Sequence, residues 1–526
     1  MQVLRQYSPD RHMIRPKSAG YRIFPVLVIL IISVILLLPL FKAGFPVTDD
    51  GTWMIIRLSA FYQSLREGQF PVRFLGRLNN GYGYPVANFL YPGFLYIGSL
   101  LKFSGFSFVD SVKIIMAFSM AGTALCLYVW LNRQFSKAAA VISVLGFIAS
   151  PYILFDLYTR GSVGEILAMF FCALVLVLLS QKNPAGAALS FGCLVISHNT
   201  VALIFTVCLM LFILIRKRWD YLWVLFGGLG LSAFFWIPAL AEKQYVSFDS
   251  IKVSDPRQYF INGKYIFLVP AMFCISFIIG WIVRKQKRNG REFGYVFLVF
   301  AGSLFMSLPL SDFLWSNKIL SQTVQFPFRL LSITVFSGAW ITAYAYDNLS
   351  GKFRNSVFAV LCTFVLLQAF PILNRVESRI YEDGYYSTNE GTTTVSSEYM
   401  PKWAGKSPGS KPSQKISVIS GSANILPRII TTQKIDADID ATIQSVIQIN
   451  TVYYPGWGVT LGNELQPIKY GNQYGFIQID VPPGKFRLYS EFRETWFRFA
   501  ADLVSFGTLI IITVIYCMKI MKRKET

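Results

Sequence analysis

Long apolar runs separated by short polar clusters organise this chain. The runs cover 23–41, 112–131, 138–155, 166–180, 185–215, 222–237, 265–283, 295–308, 330–346, 356–372 and 499–518. A helix needs about 20 mostly apolar residues to cross ~30 Å of hydrocarbon, and these runs are the segments that approach that length. The run 185–215 carries Ser197-His198-Asn199-Thr200 near its middle and splits there into two short spans. The pattern therefore predicts a polytopic α-helical membrane protein of about twelve transmembrane helices. The segment 85–103 is apolar as well, but Pro92-Gly93 interrupts it. It is expected to be an interfacial or re-entrant piece that does not cross.

From 374 to 497 the period changes from helix-like to alternating. Strands are predicted over 415–419, 442–453, 457–461, 465–470, 476–481 and 485–492, with turns at Gly462-Asn463 and Pro482-Pro483-Gly484. This reads as a β-sandwich-like domain before a last helix at 498–518, with 402–414 as a loop.

Composition sharpens the membrane reading. Of 526 residues, 54% are hydrophobic and only 15% are charged, against about 25% charged in soluble domains. The net charge is +21. Its basic residues sit in short loops beside apolar runs, the positive-inside pattern, so membrane lipids rather than nucleic acid are the expected partners. Placing these clusters inside gives a cytoplasmic N-terminus at 1–22 and a cytoplasmic tail at 519–526. The transmembrane domain then runs 23–373, with a first outer loop at 42–110, and the β-rich domain lies outside a bacterial cell membrane. The first run has no small-residue cleavage site close behind it and is expected to be an uncleaved anchor. All seven cysteines lie in apolar runs. With two histidines and no CxxC pair, a Cys/His zinc site is not expected.

Polar residues flanking spans are costly and tend to mark function. Here they gather on the predicted outer side. The first outer loop opens Thr48-Asp49-Asp50-Gly51 before an amphipathic stretch with Met54, Leu58, Phe61 and Leu65 on one face and Arg57, Gln63, Ser64 and Arg66 elsewhere. That stretch is expected to lie on the membrane surface. Asp50 either caps this helix or, with Asp49, supplies a base or metal-ligating carboxylate. The second outer loop holds Asp156, Tyr158, Arg160 and Glu165. They form either a local ion pair or a phosphate clamp built on a planar guanidinium. His198 and Asn199 sit at an outer turn, Gln325 and Arg329 enter a later span from outside, and Glu398 opens the β-rich region. Walker, GxSxG and HExxH motifs are absent.

An Asp-bearing first outer loop before a surface helix resembles the GT-C glycosyltransferases. The strings GQFPVRFL, NNGYGYPVANFLYP, LYTRGSVGE, SHNT, QFPFRLL, SSEYMP and YYPGW together resemble a group of bacterial membrane proteins called 6-pyruvoyl-tetrahydropterin synthase-related, similar to the YfhO-like group. That label does not carry pterin chemistry here. True pterin synthases have a three-histidine zinc site, and this chain has only His12 and His198. The GT-C resemblance implies transfer of a sugar from a polyprenyl-phosphate donor to a glycan or lipid acceptor at the outer face. Asp49 or Asp50 would be the base or hold a divalent cation. Arg160 and Arg329 would hold the phosphate, with Asp156, Tyr158, Glu165, His198, Asn199, Gln325 and Glu398 around it. The alternatives are a non-enzymatic component for export of a lipid-linked glycan or polysaccharide, and a scaffold whose β-rich domain binds cell-wall polymers.

Overall fold

The computed structural model describes residues 20–249, 255–284, 290–351, 353–391 and 398–524. The basic residues before 20, at 285–289 and at 352 lie outside the described residues.

The protein is a multi-pass helical membrane protein with a C-terminal β-sheet domain. Among the described residues, eight helices are long and apolar enough to cross a membrane. Two further pairs reach that length only together and are bent: Trp219–Leu231 with Ala233–Tyr245 by 69°, and Phe293–Met306 with Pro309–Trp315 by 87°. Pro184–Ser197 and Ala271–Val283, both expected as spans, are shorter apolar helices. The predicted span over 265–283 is cut at its start, because Pro270 cannot continue a helix from the turn Gly263–Leu268 into Ala271–Val283. The doubtful segment 85–103 splits into a single turn, Pro85–Asn88, and a helix, Gly93–Phe103. At 1.5 Å per residue that helix rises about 16 Å, roughly half of a hydrocarbon core.

Burial sorts the helices by what they face. Pro327–Asn348 has the lowest hydropathy of the eight and is wholly enclosed, whereas Trp496–Met518 is almost entirely exposed. The enclosed helix is rich in Ser, Thr, Ala and Gly, which let neighbouring backbones approach. The peripheral helices present Ile31, Val34, Ile35, Phe506, Ile510 and Ile511 outward, as a lipid-facing surface requires.

The strands in chain order are β1 Phe45–Pro46, β2 Ser378–Arg379, β3 Ile416–Ser420, β4 Ala423–Ile430, β5 Lys434–Ala441, β6 Ser445–Val452, β7 Trp457–Leu461, β8 Glu464–Leu465, β9 Phe476–Val481 and β10 Gly484–Phe492. A five-stranded sheet, β4-β5-β10-β7-β8, faces a three-stranded one, β3-β6-β9, and all pairs are antiparallel. Ile435, Ala437, Ile439, Ile447, Ile449, Val459, Ile477, Ile479 and Leu488 fill the space between. Of the predicted strand 465–470 only Leu465 is in a strand, and β4 and β5 were not predicted.

The β domain sits on the first large loop. Phe74 stacks on Phe492 at 5.3 Å and meets Trp457 edge-on at 5.6 Å. Trp457 therefore belongs to the core. Arg73 is buried and donates to Glu494 (2.9 Å), Asp502 (3.0 Å) and the Phe234 carbonyl (2.7 Å). The helix Gly51–Arg66, expected to lie open on the membrane surface, is covered instead. Most of its apolar residues and also Arg57, Ser59 and Ser64 are buried, because chain from 383 onward folds back over its polar side.

Candidate functional site

The site is assembled where three interhelical loops meet. The Asp49 N–H donates to the Thr159 carbonyl at 2.9 Å, and the Asp50 N–H to the Arg160 carbonyl at 2.8 Å. The loop carrying both aspartates is thus laid against the end of Lys137–Arg160. That end widens into a π turn, Asp156–Arg160, closed by Gly161 at φ +67°. A Cβ on Gly161 would overlap Thr48, so the close approach needs glycine. Thr48, not Asp50, caps the following helix: its Oγ1 accepts from the Gly51 N–H at 3.0 Å. Asp50 stands at the cap position without a side-chain cap bond. Both carboxylates are therefore free of the structural duty that the sequence offered Asp50.

Below them lies a buried charge cluster centred on Glu165. Arg160 Nη1 donates to Asp156 Oδ1 (2.5 Å) and Glu165 Oε2 (2.7 Å). Arg329 Nε donates to Glu165 Oε2 at 3.3 Å, and His198 Nε2 stands 3.9 Å from the same oxygen. Tyr152 donates to Glu165 Oε1. Asp156 and Glu165 are completely enclosed, and Arg160, Arg329 and His198 nearly so. The cluster is not saturated. Every hydrogen bond of Arg160 among the described residues uses Nη1, and those of Arg329 use Nε and Nη1. Asp156 Oδ2 is buried without a partner. Guanidinium edges left over in this way can take a phosphate oxygen.

Aromatic rings wall the cluster. The Arg160 guanidinium lies 5.5 Å from the Phe328 centroid, and that of Arg329 lies 5.0 Å from Phe326. Tyr259 packs on Phe326 at 4.6 Å and Tyr265 on Phe328 at 5.4 Å. On the other side Tyr91 meets His198 at 4.8 Å. Asp50, Arg160 and Arg329 all bear electrostatically on Tyr91, which places the aspartate loop, both arginines and this ring in one neighbourhood. Gln325 adds backbone strain. It stands at φ +65°, ψ −55°, in a rare left-handed γ-turn closed by the Phe326 N–H on the Val324 carbonyl at 2.8 Å. The same carbonyl accepts from Arg329 Nη1 at 2.9 Å, and Gln325 Oε1 from that nitrogen at 3.3 Å.

The remaining predicted residues fall elsewhere. The Tyr158 hydroxyl donates to the Leu36 carbonyl at 2.6 Å, fastening the first span instead of facing the cluster. Asn199 is exposed at the start of its helix. Glu398 accepts from Arg57 at 3.2 Å and ties the incoming β domain to the Gly51–Arg66 helix. Tyr91, Tyr152, Tyr259 and Tyr265, which nothing in the apolar pattern singles out, line the cluster. The two described cavities also lie away from Asp49 and Asp50.

Asp49 reaches solvent, yet the surrounding protein and then Asp50 push its carboxyl above the ordinary range, while Arg160 and Lys264 pull it back. A carboxylate raised in this way is a better proton acceptor near neutral pH. The fit to a metal ion is poor. Among the described residues no group of three His, Cys, Asp or Glu side chains is placed to hold one, and Arg160 and Lys264 already oppose the charge of Asp49.

Neither a protein-family model nor a curated protein matches the chain. Among solved structures it is similar to the arabinofuranosyltransferase AftD from Mycobacteria, at 15% identity and TM-score 0.49 over 69% of this chain and 28% of that one. ArnT from Cupriavidus metallidurans, solved with undecaprenyl phosphate, aligns at 14% identity and TM-score 0.45 over 70% of this chain and 68% of that one. An oligosaccharyltransferase from Archaeoglobus fulgidus aligns at 13% identity and TM-score 0.42, covering 72% and 56%. These neighbours are GT-C glycosyltransferases. The chain spans 28% of the length of the mycobacterial transferase.

Proposed function

We propose that the protein is a membrane glycosyltransferase of GT-C type, moving a sugar from a polyprenyl-phosphate donor to a cell-envelope glycan or lipid acceptor at the outer face. The observation that carries the reading is the backbone pairing of Asp49 and Asp50 with Thr159 and Arg160. It sets two unspent carboxylates beside a guanidinium that has N–H groups to spare. In this reading Asp49 or Asp50 takes the proton from an acceptor hydroxyl as its oxygen bonds to the sugar's anomeric carbon. The bond from that carbon to the donor phosphate breaks, and the lipid phosphate leaves with the negative charge. Arg160 and Arg329 meet that charge with preorganised donors in an enclosed, low-dielectric setting, where such donors act most strongly. Aromatic faces at Tyr259, Tyr265 and Phe326 suit a sugar ring, and the strained Gln325 turn fixes one of the arginines.

The test is reconstitution in nanodiscs with a panel of undecaprenyl-phosphate-linked radiolabelled hexoses and pentoses. The expected result is label moved to an envelope glycan or lipid, with undecaprenyl phosphate released. A donor that binds but is never consumed would instead support a carrier-binding export component.

A further inference from the structure

The helix that begins at Asp50 has a second polar place at its other end. A cavity of about 640 Å³ opens beside its last turns, within the ~300–1,000 Å³ range of small-ligand sites. Three cations line it: Arg66, Arg77 and Lys102. Its two acids are already engaged. Glu67 accepts from the Thr432 N–H (2.7 Å) and hydroxyl (2.5 Å), and Asp383 from Lys102 (2.7 Å) and the Phe108 N–H (3.0 Å).

The arginines differ from this. Arg77 is held by neutral oxygens: the Ser387 carbonyl (2.5 Å), the Ser59 hydroxyl (2.5 Å), the Tyr386 carbonyl (3.1 Å) and the Gln63 amide (3.3 Å). Its Nε is buried with no partner. Burial lowers its pKa to about 10, so the charge is kept at neutral pH. Arg66 is exposed and lies over the Tyr62 ring at 5.8 Å without a carboxylate partner among the described residues. Tyr62 and Phe108 meet edge to face at 5.7 Å, giving an aromatic wall next to cations and hydroxyls.

We propose that this cavity is a second binding subsite, taking a sugar unit that carries phosphate or carboxylate from a glycan lying along the Gly51–Arg66 helix. The two arginines, hydrogen-bonded to no carboxylate among the described residues, select the anion, Lys102 adds positive charge beside its Asp383 partner, and the aromatic rings stack on the sugar. At 1.5 Å per residue, Ser59 lies about 14 Å along the helix from Asp50, a distance spanned by a few sugar units rather than one. The subsite thus rests on the reading of this face as glycan-handling, and it would hold an acceptor at a distance from the reacting end.

The test uses the full chain in phosphatidylcholine nanodiscs, titrated with glucose 1-phosphate and followed by thermal unfolding. Arg66→Gln and, separately, Lys102→Gln are each expected to weaken binding at least tenfold. An Asp49→Asn/Asp50→Asn double variant should bind as the parent does, which separates failure of the subsite from failure of the transferase reading. Binding unchanged in both cation variants overturns the proposal. So does glucose or inorganic phosphate binding as tightly as the sugar phosphate. Displacement by phosphatidylglycerol in the nanodisc would assign the cavity to a lipid headgroup and overturn the glycan assignment.

Discussion

Two buried arginine–glutamate knots use the same chemistry to different ends. One joins Glu242 to Arg498, through Nε to Oε1 at 2.7 Å and Nη2 to Oε2 at 2.8 Å. The Tyr454 hydroxyl (2.7 Å) and the Asn88 amide (2.9 Å) also donate to Oε2, and Nη2 reaches the Pro455 carbonyl at 2.8 Å. This knot is a two-pronged pair with its carboxylate saturated, and it clamps the last helix and the YYPGW turn of the β domain to the helical part. The other, around Glu165, gathers two arginines and a histidine on one carboxylate and leaves guanidinium edges and Asp156 Oδ2 unspent. Buried charge alone therefore does not identify function. Arg498 Nη1 is also buried without a partner, so what distinguishes the second knot is the unpartnered carboxylate oxygen of Asp156 and its place beside Asp49 and Asp50.

The comparison can be broken at either knot. The largest effect is expected from Glu242→Ala, which leaves Arg498 buried and unpaired. Removing one partner of such a pair costs about 3–5 kcal/mol. The melting temperature should fall steeply, and limited proteolysis should release the β domain, while activity per folded molecule stays near the parent's.

Arg160→Lys should do the reverse. It keeps a positive charge beside Asp156 and Glu165 but loses the planar fork. Activity is expected to fall about 10- to 100-fold, mainly through a higher KM for donor, equivalent to ~1.4–2.7 kcal/mol, with little change in melting temperature. A fall in stability like that of Glu242→Ala would make the Glu165 knot another clamp.

The smallest effect concerns pH. The Asp49 carboxyl is raised in the folded state, so the native protein binds its proton more readily than the unfolded chain. Its ionised form therefore opposes folding. Stability should decline as pH rises from the ordinary carboxylate range through the raised value. Asp49→Asn should remove that slope and be no less stable than the parent at pH 7, as thermal unfolding across pH 3–7 would read out.

Much of this was legible in the residues, and the exceptions have physical reasons. Apolar runs located the helices because lipid contact leaves little freedom in composition. Not every run is one straight helix: Pro270 shortens one, and two sharp bends divide others that hydropathy joins. Strand β5 reads Lys-Ile-Asp-Ala-Asp-Ile-Asp-Ala, with its apolar positions facing the core. Its aspartates, rare in strands, hid an alternation that was present. Arg160, Asp156, Glu165, His198 and Arg329 stand out in the sequence because charge next to an apolar span is conspicuous, and the fold brings all five together. The aromatic wall gave no such signal in a chain that is 16% aromatic. Tyr158 was drawn toward the site by its neighbours, but the π turn directs its hydroxyl to the first span. Arg57 is expected off the apolar face of an amphipathic helix, and it is buried because the returning segment brings Glu398 onto it.

A catalytic role for Asp49 and Asp50, as proposed, and a structural one part company in a paired measurement on the Asp49→Asn/Asp50→Asn double variant. Sugar transfer from undecaprenyl-phosphate-linked donors and melting temperature should be read on the same preparation. Because Thr48 supplies the helix cap, melting temperature is expected to equal or exceed the parent's. Loss of a general base should lower the transfer rate by about 10²–10⁴-fold. A double variant that transfers sugar at the parent rate, or that loses activity only because it no longer folds, would remove both aspartates from the chemistry.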